Sequence, residues 1–70
     1  MKTFLVFADV LYTWEFDHSM EGFELEATGY SDAVAKVTAQ LAGDRDVVSF
    51  DTCDVFEVVG DSLVPVYGDS

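Results

Sequence analysis

The chain reads as an α+β domain: a four-stranded antiparallel sheet in ββαββ order, with one helix packed on one face. Three observations predict this. Apolar residues alternate with a period of two near the start, again after residue 22, and again after residue 46, which is strand periodicity. One segment between these runs carries apolar residues at three- and four-residue spacing, which is helix periodicity. Polar and glycine-containing stretches separate the runs, with no internal repeat, low-complexity tract or linker. At 70 residues the chain makes one small domain, spanning residues 1–70.

The first strand is expected from Lys2 to Phe16. Phe4, Val6, Ala8, Val10, Tyr12, Trp14 and Phe16 fall on one face, and Leu5, Phe7, Asp9, Leu11, Thr13 and Glu15 on the other. Leu5, Phe7 and Leu11 make the second face apolar too, which suggests a central position or an oligomer contact. The opening apolar run superficially resembles a signal peptide. It breaks at Asp9 with no small-residue cleavage site after it, so a strand is the better reading. No stretch reaches the ~18 apolar residues that a membrane-spanning helix needs.

The segment Asp17-His18-Ser19-Met20-Glu21-Gly22 is a polar hairpin loop. Phe23, Leu25 and Ala27 then alternate with Glu24 and Glu26, giving a half-buried strand with outward carboxylates. Ser31 is placed to cap a helix over about residues 32–42, Asp32 complements its dipole, and Gly43 ends it. Val34, Val37 and Leu41 form its apolar stripe.

After the charged loop Asp44-Arg45-Asp46, the chain is extended again from Val47 to Val59, as one strand or as two pieces broken by a bulge near Asp54. Val48, Phe50, Thr52, Phe56 and Val58 are expected on one face, with Asp54 the odd member. Gly60-Asp61 makes a two-residue turn, and residues 63–67 form a last strand. Pro65, the sole proline, cannot donate to a ladder and places that strand at an edge. Gly68-Asp69-Ser70 reads as a frayed end. The strand order 2-1-3-4 keeps neighbours antiparallel and the crossover right-handed.

Charge narrows the function. Fourteen acidic residues against three basic ones give a formal net charge of -11 and a pI of about 4.1, while 50% of residues are hydrophobic. This is a folded acidic object that repels nucleic acid and anionic lipid and attracts basic surfaces. Self-repulsion opposes compactness, and a homodimer would bury apolar surface that one small core cannot cover. The single Cys53 excludes an internal disulfide, and the absence of a disulfide framework fits a reducing, cytoplasmic setting; its apolar-rich strand predicts a buried, inert thiol.

The carboxylates cluster. Glu24 and Glu26, two apart on one strand, share a face at about 6.7 Å. Glu15, Asp17 and Glu21 crowd the first hairpin; Asp44, Asp46, Asp51, Asp54 and Glu57 follow, then Asp61 and Asp69. Such crowding with few cations costs stability. Two readings compete: a rigid acidic surface that occupies a lysine- and arginine-lined groove in place of nucleic acid, or a solvated surface that keeps an apolar protein soluble. The acidic loops offer calcium-type oxygen ligands, but no twelve-residue loop pattern matches.

No enzyme is expected. His18 is the sole histidine, and Ser19 beside it is the wrong arrangement for a triad assembled in space. No glycine-rich phosphate loop is present. No cofactor and no metal site are expected. Tyr12, Trp14 and Phe16 read as a core or dimer stripe, since acidic neighbours disfavour stacking on bases.

Size, charge, the lone cysteine and the run Phe23-Glu24-Leu25-Glu26-Ala27-Thr28 leading into Ser31-Asp32-Ala33-Val34-Ala35 give a chain that resembles small acidic inhibitors of host defence. These are carried by phages and mobile elements and include anti-CRISPR proteins and anti-restriction DNA mimics. They share no catalytic signature, so no site residue transfers. The resemblance implies a cytoplasmic, non-enzymatic protein of an infected host cell. It would dock on the basic channel of a CRISPR effector or restriction enzyme and block target DNA by charge mimicry. Direct contact with nucleic acid or membrane is not expected. The contact carboxylates expected are Glu24, Glu26, Asp44, Asp46, Asp51 and Glu57. The alternative is a structural or assembly module that associates through the apolar sheet face of Leu5, Phe7 and Leu11.

Overall fold

Alternation along β1 (Lys2–Tyr12) sends Phe4, Val6, Ala8 and Val10 to one side of the sheet, and all four are buried. The computed structural model, which describes residues 1–67, continues with β2 (Ser19–Ala27), α1 (Tyr30–Ala42), β3 (Val47–Val59) and β4 (Ser62–Val66). The four strands form one antiparallel sheet in the order β2-β1-β3-β4, as the sequence predicts. The segment 68–70, expected to fray, lies outside the described residues.

Residues directly opposite each other in an antiparallel ladder share a face. Phe4 pairs with Leu25 and Val6 with Phe23, so β2 turns Phe23, Leu25 and Ala27 toward the core and Glu24 and Glu26 away from it. The helix lies over this apolar side. Ala33, Val37 and Leu41, four residues apart and hence one above the other, are its buried contacts. The opposite side of the sheet, carrying Leu5, Phe7 and Leu11, has no helix over it; we call it the open face.

Four expectations need correction, besides the start of β2, which takes in Ser19 to Gly22 of the expected hairpin loop. The alternation Tyr12-Trp14-Phe16 does not continue the strand. Thr13 N donates to Asp46 O (2.8 Å) and Glu15 N to Tyr12 O (3.1 Å), so the chain turns, leaving Trp14 and Phe16 exposed. The helix begins two residues early, at Tyr30, and Gly29 stands at its cap instead of Ser31. The Asp32 carboxylate accepts from Thr28 N (2.9 Å) just ahead of the helix, and Ala33 N donates to Gly29 O (3.0 Å) as the first intrahelical bond.

The third correction concerns β3. It is one strand, but its register against β1 shifts between Phe7 and Ala8, where Cys53 is the extra residue, and again between Leu11 and Tyr12, where Val48 is. Each extra residue reverses the face that a given parity occupies. Val10 therefore opposes Phe50 and Ala8 opposes Thr52 on the helix side, while Leu5 opposes Phe56 and Thr3 opposes Val58 on the open face. The five residues expected on one face are thus divided by the bulges. The fourth follows from the same bulge: Cys53 is exposed, its thiol 3.6 Å from Asp51 O.

The last turn is as the sequence indicates. Val59 pairs with Ser62 across Gly60-Asp61, and Gly60 takes φ +59°, the left-handed region that glycine adopts without steric cost. β4, with Pro65, forms one edge and covers only residues 55–59 of β3.

Candidate protein-binding surface

The open face has an apolar centre and an acidic margin. Leu5 and Phe7 of β1 lie beside Phe56 and Val58 of β3, and Leu63 and Pro65 of β4 extend the patch. Phe7 meets Phe56 edge to face, with ring centroids 5.8 Å apart at 86°. On its other side Phe7 lies over Gly22, where a Cβ would stand 3.2 Å from Phe7 Cε1. Leu5, Phe7, Phe56 and Val58 shield one another and are half-buried, while Leu63 and Pro65 remain exposed.

Around this centre stand Glu24 and Glu26 on β2, Asp9 on β1, and Asp51 and Asp54 on β3. Asp9 and Asp51 are directly opposed across the β1–β3 ladder. Side chains so placed have Cβ atoms about 5 Å apart, and like charges there are destabilising. No basic residue relieves them. Lys2 opposes Ala27, which sets it on the helix side, where it pairs with Glu57 (3.8 Å). Lys36 on α1 pairs with Asp32 (3.3 Å) and donates to Glu26 O (3.0 Å), and Arg45 sits in the α1–β3 loop.

The six carboxylates expected from the sequence therefore fall into three places. Glu24, Glu26 and Asp51 share the open face. Asp44 and Asp46 lie at the end of the molecule where α1 meets β3, with Asp46 N donating to Asp44 Oδ1 (2.9 Å). Glu57 opposes Phe4 on the helix side. The bulge at Cys53 is what separates Glu57 from Asp51, two residues of like parity. Asp9 and Asp54 complete the open-face margin and were not among the six expected contact carboxylates. The signal for Asp9 was its position as the charged member of an otherwise apolar set on β1.

The end of the molecule carries a second feature. Trp14 stacks on Tyr12 with ring centroids 4.9 Å apart and planes at 7°, and its own surface is 66% exposed. Burial raises the Tyr12 phenol above its ordinary pKa, and the nearby carboxylates Glu21, Asp44 and Glu15 push it the same way, since they oppose a phenolate.

Chemistry-bearing groups are sparse. His18 Nε2 meets Ser49 Oγ at 3.0 Å in solvent, and among the described residues no carboxylate bonds its other ring nitrogen. A groove of about 250 Å³ lies where β4 ends beside the β3 bulge, lined in part by Tyr30, Cys53, Asp54 and Tyr67, with no histidine in its walls. Among the described residues no group of three or more His, Cys, Asp or Glu side chains is placed to hold a metal ion. No described helix is long and apolar enough to cross a membrane. No known protein family, curated protein or solved structure matches the chain.

Proposed function

We propose that this protein is a non-enzymatic inhibitor that binds a basic nucleic-acid-binding surface of a host-defence complex. It would act in the manner of an anti-CRISPR protein, occupying with carboxylates a channel that otherwise takes target DNA. The observation that carries this reading is the opposed Asp9–Asp51 pair on a face with Glu24, Glu26 and Asp54 and no cation. A surface needed only for solubility gains nothing from holding two carboxylates against each other in a rigid ladder. A basic partner surface would relieve that repulsion on docking. Sheet hydrogen bonding fixes the spacing of these charges beforehand, so little ordering entropy is lost when they bind. The charge also steers encounter with a basic groove and makes it salt-sensitive.

The test is capture from a lysate on the immobilised protein, elution with a salt gradient, and identification by mass spectrometry. A nucleic-acid-binding partner that elutes at moderate salt, and that releases its DNA when this protein is added, supports the proposal. A captured partner that keeps its DNA sinks it.

The apolar centre of the open face favours a second reading, an assembly module that associates through Leu5, Phe7 and Phe56. Burial of apolar area would then dominate, and raised salt would leave the association unweakened. Sedimentation of the protein alone at low and high salt separates the two.

A further inference from the structure

We propose that the Trp14 end of the molecule is an arginine-binding anchor, where a guanidinium of a basic protein partner stacks on the free face of the indole and bonds to neighbouring carboxylates. This rests on the basic-surface reading above and adds what that reading leaves open, namely which cation is recognised and where.

The argument starts from an exposed ring. Trp14 is the sole tryptophan, and a small protein leaves it 66% exposed with the neighbouring Phe16 fully so. The indole is nonetheless held. One face lies parallel on Tyr12 at 4.9 Å, and Tyr12 itself packs against the core. The turn that carries Trp14 is tied to the α1–β3 loop by the 2.8 Å bond from Thr13 N to Asp46 O. A fixed aromatic plane with one free face is a stacking platform that loses little entropy on binding.

Its surroundings are anionic. Glu15 follows it directly and Asp17 stands three residues on, and the bond at Thr13 ties the turn to the Asp44–Asp46 loop. Asp44, Glu15 and Glu21 all act on the Tyr12 phenol, which places their charge at the same end. Arg45, in the adjoining loop, forms no ion pair and no ring contact among the described residues, so the chain's own guanidinium does not occupy the indole. An exposed ring at an acidic end of the molecule fits arginine better than lysine. Guanidinium is planar, weakly hydrated and able to stack while its edge donates in a fork to a carboxylate.

The experiment uses the full chain and two peptides matched in length and charge, one with arginine and one with lysine, in Gly/Ser backgrounds near 0.15 M salt. Trp14 emission and calorimetry read binding. The arginine peptide is expected to bind about two- to fivefold more tightly than the lysine peptide and to perturb the emission. Trp14→Leu should abolish that preference while retaining salt-sensitive binding of both, with its fold checked by thermal melting. Equal affinities with undisturbed emission, or a preference that survives in Trp14→Leu, would overturn the anchor and leave the basic-surface reading standing. If neither peptide binds, both fall.

Discussion

The two faces of β1 come from one alternating run and have opposite fates. Phe4, Val6, Ala8 and Val10 are buried beneath α1, whereas Leu5, Phe7 and Leu11 are half-exposed among carboxylates. On the helix side these residues are covered by α1 and by one another in the core, and each contributes its full transfer free energy. On the open side similar residues are only partly covered, and Asp9 faces Asp51 with no cation between. The first face is built for stability. The second sets like charges opposite each other, an arrangement that in sheets generally costs stability.

The largest expected effect compares one residue type on the two faces. Phe4→Ala should cost about 3–5 kcal/mol, which is on the order of the whole stability of a domain this small. Phe7→Ala should cost about 1–2 kcal/mol, mostly the partial area and the ring pair with Phe56. Urea denaturation of both variants checks this, and equal losses would break the distinction between the faces.

The β3 bulge gives a second contrast. Deleting Cys53 leaves Asp54 opposite Phe7 and Thr52 opposite Ala8, so every core residue keeps its face. The deletion variant should still melt cooperatively, and loss of the transition would show that the bulge itself is needed. Next in size is Asp51→Lys, which converts an opposed like-charge pair into an opposite-charge pair. It should raise stability by about 0.2–1 kcal/mol, measured as a higher melting temperature, and a fall would mean that Asp9 and Asp51 do not repel in the folded protein.

The smallest effect belongs to Asp32. The Thr28 N–H bond, and then the Lys36 ammonium, hold its carboxyl below the ordinary value of 3.8. A depressed folded pKa adds stability that is fully present above the unfolded value and is lost as pH falls through the folded one. Wild type and Asp32→Ala should therefore differ in melting temperature at neutral pH and converge as pH drops below 3.8. A constant difference down the acid range would assign the effect to something other than this charge.

Most of the fold was legible because strand and helix periods differ and the turns carry their own signals. Element order, strand order, the Gly60-Asp61 turn and the edge position of Pro65 all follow from local residues. The misses have a common cause in tertiary bonding. Alternation through Trp14 and Phe16 persists in the sequence after β1 has run past the start of β3, where the chain turns through the Glu15 N to Tyr12 O bond. The bulge near Asp54 was foreseeable, but its consequence was not, since one extra residue moves Phe50 and Phe56 to opposite faces. The candidate surface was partly visible for the same reason. Glu24, Glu26 and Asp51 come together, Glu57 is carried to the other side, and Asp54 and the opposition of Asp9 to Asp51 enter through cross-strand register that no single strand reveals.

If the open-face carboxylates are kept for a basic partner at a cost in stability, reversing them should improve the fold and impair the function together. The decisive variant is Glu24→Lys with Asp51→Lys, measured for melting temperature and for displacement of DNA from the captured partner. The expected result is a melting temperature equal to or above wild type, with displacement weakened at least about tenfold. Full displacement by the folded double variant would contradict it.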